Sequence, residues 1–293
     1  MPQQRNPKPG KKPSKKSPPQ KLPGVETKMR PAPDHGEESY RGSERLKDLV
    51  AIITGGDSGI GRAVAIAFAR EGANVAISYL SPKEAKDARE TVRWIEAAGR
   101  RAISRQFNVQ DPKACKRFVD GVARGLGRVD ILVNNAAYQV EQDSILDITP
   151  EQLDATFRTN IFGYFFMVQS ALPHMKEGSA IINTGSVTAL RGNAGLIDYA
   201  STKGAIHVFT KSLAESVADK GIRVNCVAPG PVWTPLIPAS MDEKHVAEFG
   251  KDTIWKRPAQ PAELAPAYVF LASAESRYMS GDVVAITGSD TTR

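Results

Sequence analysis

The hydrophobic positions from residue 45 onward form short continuous runs, and these runs alternate with longer stretches in which apolar residues recur at helical spacing. Residues 49–53 are apolar at every position, which is typical of a strand buried on both faces. The pattern predicts strands at 49–53, 75–77, 102–107, 131–133, 180–183, 222–227 and 283–286, and helices at 60–71, 83–98, 112–126, 150–175 and 262–271, with a further helix that carries Tyr199 and runs to about residue 219.

Regular alternation of strand and helix predicts an α/β fold, in which a parallel, doubly wound sheet of about seven strands is covered by helices on both faces. The chain of 293 residues is long enough for one large domain with a full core. In such sheets, ligands bind beyond the carboxyl ends of the strands. Because Thr54, Ser186 and Pro229 each follow a predicted strand, we expect them to meet at one edge of the sheet.

Residues 1–44 differ in composition from the rest and are predicted to form an amino-terminal arm, with a single domain at 45–293. The arm is rich in proline, and residues 1–30 hold nine Lys or Arg but one acid, Glu26. The formal net charge of +7 is therefore a property of the arm, and the remainder of the chain is close to neutral. Such a segment buries too little apolar surface to offset its ordering entropy, so its first half is expected to be disordered or extended.

Two interpretations of the arm stay open. The favoured one is a solvated segment that partly wraps a neighbouring subunit, because isolated basic runs are usually solvated. The other is a weak, salt-sensitive attraction to nucleic acid or anionic lipid. No aromatic residue precedes Tyr40, so there is no platform for base stacking, which disfavours nucleic acid as a partner.

The composition also argues against several classes of protein. The arm has no apolar core region of the kind found in a secretory signal, and no membrane span is expected. The two cysteines show no pattern, which argues against a disulfide framework and suits a reducing cytoplasm. The four histidines are scattered, so no protein-bound metal is expected.

A Tyr and a Lys four residues apart, Tyr199 and Lys203, lie in the predicted first turns of a helix and would share one helical face. A nearby ammonium favours the ionised form of a phenol, so we expect a lowered pKa and general acid–base chemistry. The same spacing occurs at Tyr79 and Lys83, but there Pro82 breaks the helix that would bring the two groups together. Tyr199 and Lys203 differ from that pair because Ser186 lies shortly upstream of them, at the end of an apolar strand.

Thr54 to Gly61 form a glycine-rich loop between the first predicted strand and the first predicted helix. Glycines permit a tight turn and close approach of the backbone to a pyrophosphate, and the helix amino terminus offers unpaired N–H groups. The loop could be a plain turn, but its position directly after a buried strand favours a dinucleotide site.

With these motifs, residues 45–289 resemble the short-chain dehydrogenase/reductase family in its classical form. The glycine-rich loop is similar to the cofactor fingerprint of that family, Asn134 to Ala137 to its Asn-Asn-Ala-Gly motif, and Pro229 to Thr234 to the segment beside the nicotinamide. The arm further resembles that of a bacterial subgroup described as general-stress oxidoreductases. The resemblance implies a Rossmann-type fold and an NAD(P)-dependent enzyme that interconverts a carbonyl and an alcohol.

The resemblance also implies the catalytic roles. Tyr199 would exchange the proton, Lys203 would lower its pKa and bind the nicotinamide ribose, and Ser186 would hold the substrate oxygen. Asn160 would hold a water that links Lys203 to solvent. Taken alone, Ser186 could be a residue that completes a turn and Asn160 a polar group bonded to backbone.

The implied cofactor contacts are Gly55, Asp57, Ser58, Gly59, Ile60, Gly61, Tyr79, Asn108, Val109, Asn135, Ala136, Tyr199, Lys203, Pro229, Gly230, Val232 and Thr234. Ala137 and Asn108 depart from the usual Gly and Asp of the family. At the end of the second strand, Tyr79 replaces the acid that binds the ribose 2′-hydroxyl in NAD-preferring members, which favours NADP slightly. Against this preference, Asp57 could repel a 2′-phosphate.

A substrate loop is predicted at about residues 232–258, because this connection is long and of mixed character. The expected substrate contacts are Ser186, Tyr199, Gln139, Arg191 and Trp233, which suit a small aldehyde, ketone or sugar. The resemblance further implies a homotetramer. The rival hypothesis is a non-catalytic dinucleotide-binding stress protein that docks to nucleic acid or membrane through its basic arm.

Overall fold

Seven parallel strands form one sheet in the computed structural model, which describes residues 17–288. The spatial order is β3-β2-β1-β4-β5-β6-β7, so the chain winds outward in both directions from the neighbours β1 and β4. The strands are β1 (Val50–Ile53), β2 (Asn74–Tyr79), β3 (Ala102–Gln106), β4 (Ile131–Asn134), β5 (Ala180–Thr184), β6 (Arg223–Pro229) and β7 (Val283–Ile286).

Helices connect successive strands. They are α1 (Gly59–Arg70), α2 (Ala85–Ala97), α3 (Pro112–Leu126), α4 (Pro150–Phe157), α5 (Gly163–Ala171), α6 (Thr188–Arg191), α7 (Ile197–Ser216), α8 (Leu236–Ser240), α9 (Glu243–Glu248) and α10 (Ala265–Ala272). Between α4 and α5, Arg158–Phe162 form a π-helical turn.

Helices cover both faces of the sheet, as the continuous apolar strands require. In β1, Ala51 and Ile53 pack into a core that contains Phe68 of α1 and Val269 of α10. The alternate residues, Val50 and Ile52, pack into a second core with side chains of α3 and α5, such as Phe118 and Met167. The predicted fold class, a Rossmann-type doubly wound parallel sheet in a single domain, is therefore confirmed.

One predicted helix is interrupted in the structure. The helix expected over 150–175 is broken by the π-helical turn at Arg158–Phe162 and ends at Ala171, where the short 3-10 turn Leu172–His174 begins. The turn contains Asn160, which is fully buried. Apolar spacing cannot reveal one extra residue in a helical turn, and such turns occur frequently at functional sites.

The described part of the arm packs against its own domain, which differs from the solvated arm that the composition favoured. Glu71, directly after α1, is buried and accepts hydrogen bonds from Tyr40 Oη at 2.6 Å and from the Ser43 backbone at 2.9 Å. Composition could not reveal this contact, since the partner of these residues lies elsewhere in the sequence. Residues 1–16, which carry six of the nine cations counted above, lie outside the described residues.

Candidate functional site

A cleft with a volume of about 450 Å³ opens at the carboxyl ends of the strands. That size is within the range of pockets that bind small molecules. The point where the winding of the sheet reverses, between β1 and β4, lies beneath it, and this is where doubly wound sheets bind ligands. Of the three residues expected at this edge, Ser186 and Pro229 line the cleft. Thr54 does not line it, but its hydroxyl oxygen accepts from the N–H of Asn135, which does, at 2.9 Å.

The glycine-rich loop is folded tightly against the segment after β4. Gly55 has a φ of 62°, a left-handed conformation that favours glycine. A Cβ on Gly61 would lie 2.0 Å from the Gly55 carbonyl oxygen, so only glycine lets the start of α1 approach the loop this closely. Asn135 holds the arrangement with its side-chain amide, which donates to the carbonyls of Thr54 at 3.0 Å and Gly55 at 3.1 Å.

This loop fits the pyrophosphate of a dinucleotide. The amino terminus of α1 begins in the cleft wall, and the side chain of its N-cap residue, Ser58, makes no capping hydrogen bond. The terminal N–H groups and the positive end of the helix dipole suit an anion. One terminal amide, that of Gly59, donates instead to the Glu26 carboxylate of the arm at 2.7 Å.

Tyr199 and Lys203 lie one turn apart near the start of α7, as predicted, and both line the cleft. The Lys203 ammonium lies 5.3 Å from the centroid of the Tyr199 ring. Its hydrogen bond goes to the Thr184 carbonyl at 2.7 Å, and the side chain is buried. The lysine is therefore held between the end of β5 and the tyrosine ring.

The expected lowering of the Tyr199 pKa is wrong for this arrangement. Burial raises the pKa of Tyr199 to about 12, although a hydrogen bond with Ser186 acts in the opposite direction. Burial also lowers the pKa of Lys203 to about 8, because an ammonium loses hydration in this position. The sequence argument counted the nearby charge but not the desolvation of both groups. At neutral pH, Tyr199 is a protonated phenol that can donate.

Ser186 is oriented by Thr188, a residue that the sequence analysis missed. The Ser186 hydroxyl oxygen accepts from the Thr188 backbone N–H at 3.1 Å and from the Thr188 hydroxyl at 3.0 Å. Since a hydroxyl has two acceptor lone pairs, both are used, and its own proton is left to donate. The available signal was a second hydroxyl residue two positions after Ser186.

Asn160 is placed behind the cleft, and it does not line it. Its side-chain oxygen accepts from the Tyr138 N–H at 2.8 Å, and its amide donates to the Tyr138 carbonyl at 2.9 Å and to Thr202 Oγ1 at 3.0 Å. Both amide protons are therefore used within the protein. The residue fixes the segment after β4 against α7, and its action as a holder of a relay water stays a prediction.

The other predicted cofactor residues come together, with one exception. Gly55, Asp57, Ser58, Gly59, Ile60, Tyr79, Asn108, Val109, Asn135, Ala136, Pro229, Gly230, Val232 and Thr234 all line the cleft, whereas Gly61 contributes close packing and does not line it. Burial, reinforced by the neighbouring Glu84 carboxylate, raises the pKa of Asp57. A raised pKa favours the neutral form of the carboxyl, which weakens the repulsion of a 2′-phosphate that the sequence suggested.

Two of the predicted substrate residues that are not shared with catalysis, Gln139 and Arg191, line the cleft. The prediction for Trp233 is wrong. Its side chain is buried in a cluster with Met29 and Ile237, and its indole N–H donates to the Pro31 carbonyl at 2.9 Å. It thus binds the arm, which no local pattern near residue 233 indicates. Leu22, Pro23 and Gly24 of the arm line the cleft and were also missed.

Within residues 17–288, no helix has the length and apolar character needed to cross a bilayer. In the same part of the chain, no group of His, Cys, Asp or Glu side chains could hold a metal ion.

A family model described as enoyl-(acyl carrier protein) reductase matches residues 55–288. The chain is 57% identical over 266 residues to the uncharacterized oxidoreductase YhdF of Bacillus subtilis (strain 168), with 91% of each chain covered. It is 48% identical over 268 residues to general stress protein 39 of the same organism, covering 92% of this chain and 93% of the relative. It is 50% identical over 267 residues to the chloroplastic NADPH-dependent aldehyde reductase 1 of Arabidopsis thaliana, covering 89% and 93%.

Solved structures share the fold. A short-chain dehydrogenase from Burkholderia cenocepacia J2315 in complex with NADP is 37% identical with a TM-score of 0.78, covering 83% of this chain and 98% of that one. A short-chain dehydrogenase from Mycobacterium paratuberculosis bound to NAD is 30% identical with a TM-score of 0.77, covering 84% and 99%.

Proposed function

The chain belongs to the short-chain dehydrogenase/reductase family, and on that premise we propose that it is an NAD(P)-dependent oxidoreductase that interconverts a carbonyl and an alcohol. The observation that carries the proposal is the convergence of Tyr199, Lys203 and Ser186 with the glycine-rich loop in one cleft. A protein that only bound a dinucleotide would not require a proton donor and an oriented hydroxyl beside it.

The bound nicotinamide cofactor would supply or accept the hydride. In the direction of reduction, the protonated Tyr199 gives its proton to the substrate oxygen as negative charge develops there. Ser186, with both lone pairs occupied by Thr188, donates a hydrogen bond to the same oxygen and stabilises that charge. In the direction of oxidation, the Tyr199 phenolate accepts the proton of the alcohol.

Lys203 supports this chemistry through its charge. Its ammonium lies against the Tyr199 ring and is fixed by the Thr184 carbonyl. In a poorly hydrated site, a fixed positive charge stabilises the phenolate more than it would in water. We infer that this charge allows the proton to move in both directions between Tyr199 and the substrate oxygen.

We propose NADP as the preferred cofactor, by a small margin over NAD. Tyr79 occupies the position at which an acid would bind a 2′-hydroxyl, and the raised pKa of Asp57 weakens the repulsion of a 2′-phosphate. The name of the Arabidopsis relative, which specifies NADPH, supports this choice, while the NAD-bound neighbour is the reason that the margin is small.

The substrate class that fits best is a small aldehyde, ketone or sugar. Gln139 and Arg191 are polar groups in the wall of the cleft, and Leu236, Ile237 and Phe249 are apolar ones. The aldehyde reductase among the relatives is consistent with this class.

We further propose that the enzyme is a homotetramer that acts in the cytoplasm. Phe162, Phe165 and Val208 are each at least 43% exposed, and the ring of Phe165 packs at a tilt against that of Phe209 of α7, with centroids 4.4 Å apart. An apolar face of this kind suits contact with a second copy of the chain. Sedimentation velocity tests the assembly, and a monomer at micromolar concentration would contradict it.

The proposed function is tested by fluorescence titration with NADPH and NADH, followed by turnover of a panel of small aldehydes, ketones and sugars. The expected result is binding of both cofactors, tighter for NADPH, with turnover that the Tyr199→Phe variant lacks. Absence of binding by either cofactor would overturn the assignment of the glycine-rich loop.

A further inference from the structure

We propose that residues 20–35 of the arm, here termed the strap, position the substrate loop (residues 232–258) against the glycine-rich loop. The strap would then be a working part of the active site. Its consequence for catalysis depends on the proposed function, whereas its effect on the order of the substrate loop does not.

The strap is joined to the substrate loop by hydrogen bonds near both of its ends. The Gln20 N–H donates to the Pro238 carbonyl at 2.9 Å, and the Trp233 indole N–H donates to the Pro31 carbonyl at 2.9 Å. Between these bonds, the fully buried Met29 packs against Trp233 and Ile237. The loop therefore obtains part of its apolar core from the strap.

In the middle of the strap, Gly24 lies directly against Pro235 of the substrate loop. A Cβ on Gly24 would lie 2.2 Å from the Pro235 carbonyl oxygen, a distance that backbone atoms cannot accept without moving apart. Gly24 also lines the cleft, together with Leu22 and Pro23. The contact with Pro235 is thus made at the wall of the site itself.

The same segment contacts the glycine-rich loop from the other side. Glu26 is 5% exposed, and its carboxylate accepts from the Gly59 N–H at 2.7 Å at the start of α1. Its backbone N–H donates to Asp87 Oδ2 of α2 at 2.8 Å. His35 Nε2 lies 3.3 Å from the Glu26 carboxylate. Glu26, the lone acid among the first thirty residues, is therefore an anchor of the strap.

The substrate loop needs such support. Its two helices, α8 and α9, contain 5 and 6 residues, and helices of this length are not stable in water without tertiary contacts. The base of the loop is closed by the pairing of Val232 with Ala259. Beyond that pairing, Met29 of the strap provides packing that fixes Ile237 in the cleft wall.

The test is the variant Gly24→Ala, which forces the strap and the loop apart. Trypsin cleavage is followed by mass spectrometry at Lys244 and Lys251, two exposed sites in the loop, with the exposed Lys220 in the turn after α7 as the reference site. The expected result is a rise of about tenfold in loop cleavage relative to Lys220, because local opening governs proteolysis. The matched control is Gly121→Ala in α3, where a Cβ meets no atom within 4 Å. This control should leave the cleavage ratio unchanged.

A second variant keeps the test informative if Gly24→Ala folds poorly. Trp233→Phe retains an aromatic ring but removes the N–H that donates to Pro31 and reduces the ring area packed against Met29, so we expect loop cleavage to rise about threefold. For an active enzyme, both variants should raise KM more than they lower kcat. Wild-type cleavage ratios in both variants would overturn the proposal. If both variants show increased loop cleavage but the wild-type protein itself shows no turnover, the proposed function is overturned and the proposal for the strap stands.

Discussion

Two pairs of Tyr and Lys share one spacing in this chain and have different structures. Tyr199 and Lys203 lie on successive turns of α7, with the ammonium 5.3 Å from the ring centroid. Tyr79 ends β2, and Lys83 lies in the 3-10 turn Pro82–Glu84, where it is exposed. Tyr79 lines the cleft, so position alone does not separate the two tyrosines.

The difference shows that the spacing carries chemistry only when the backbone is helical. In α7, the helix places Lys203 against the ring and buries it beside Thr184. At Tyr79, Pro82 begins a short turn and the lysine side chain is exposed. The same two residue types form a candidate acid–base pair in one place, whereas in the other Tyr79 lines the cleft and Lys83 does not.

The largest expected effect is that of Tyr199→Phe. Loss of the proton donor should lower kcat/KM for carbonyl reduction by at least about 10³-fold, because general acid catalysis contributes on that scale. The dissociation constant for NADPH should change by less than about threefold, since the ring remains. Steady-state kinetics and fluorescence titration measure the two quantities.

Lys203→Met should lower turnover by about 10²-fold and yet stabilise the fold. Burial of the ammonium, which lowers the pKa of Lys203 to about 8, costs about 3 kcal/mol relative to the unfolded chain. Removal of this charge should raise the Tm by several degrees, as calorimetry would show. Thr184 still accepts a hydrogen bond from Tyr164 at 3.2 Å, so its carbonyl is not left unsatisfied.

The pH dependence of that gain has a definite sign. Below pH 8 the lysine is charged in both folded and unfolded states, so the full penalty is present. As pH rises from about 8 toward the ordinary value of 10.5, the folded protein binds fewer protons than the unfolded chain, and the penalty disappears. The difference in Tm between Lys203→Met and wild type should therefore close over this range. Lys83→Met is the matched control, and a similar gain there would contradict the account.

Thr188→Val should lower kcat by about fivefold, which is the scale of one lost hydrogen bond. The variant removes the hydroxyl that orients Ser186 and preserves the shape of the side chain. If Thr188 acts through Ser186, adding the change to Ser186→Ala should cause little further loss. Full additivity of the two losses in kcat would show that Thr188 acts elsewhere.

Tyr79→Phe should have the smallest effect. We expect kcat to change by less than about twofold and the NADPH dissociation constant by less than about threefold, as for a single wall contact of the cofactor site. Titration with NADPH and NADH separates an effect on the 2′-phosphate from one on the rest of the cofactor. A large loss of kcat would mean that Tyr79 takes part in proton transfer.

The parts of the molecule that sequence could predict are those governed by local rules. Strand and helix alternation gave the order of the elements, and the ends of β5 and β6 bring Ser186 and Pro229 into one cleft. Thr54, directly after β1, does not line the cleft and binds Asn135 of its wall. Helical spacing was sufficient for Tyr199 and Lys203 because both lie in one regular helix.

The parts that sequence could not predict depend on contacts between distant segments or on burial. The bond between Trp233 and Pro31 joins residues 202 positions apart, and nothing near either residue indicates it. The raised pKa of Tyr199 and of Asp57 follows from desolvation, which a sequence does not display. The apolar spacing over 150–175 predicts one continuous helix, so it does not indicate the π-helical turn that contains Asn160.

The central claim is tested most directly by the initial rate of NADPH oxidation with one small aldehyde, measured for wild type, Tyr199→Phe and Tyr79→Phe under the same conditions. The account predicts that turnover is lost in Tyr199→Phe and retained in Tyr79→Phe, with NADPH still bound by both. Turnover that survives in Tyr199→Phe, or that falls equally in both variants, would contradict it.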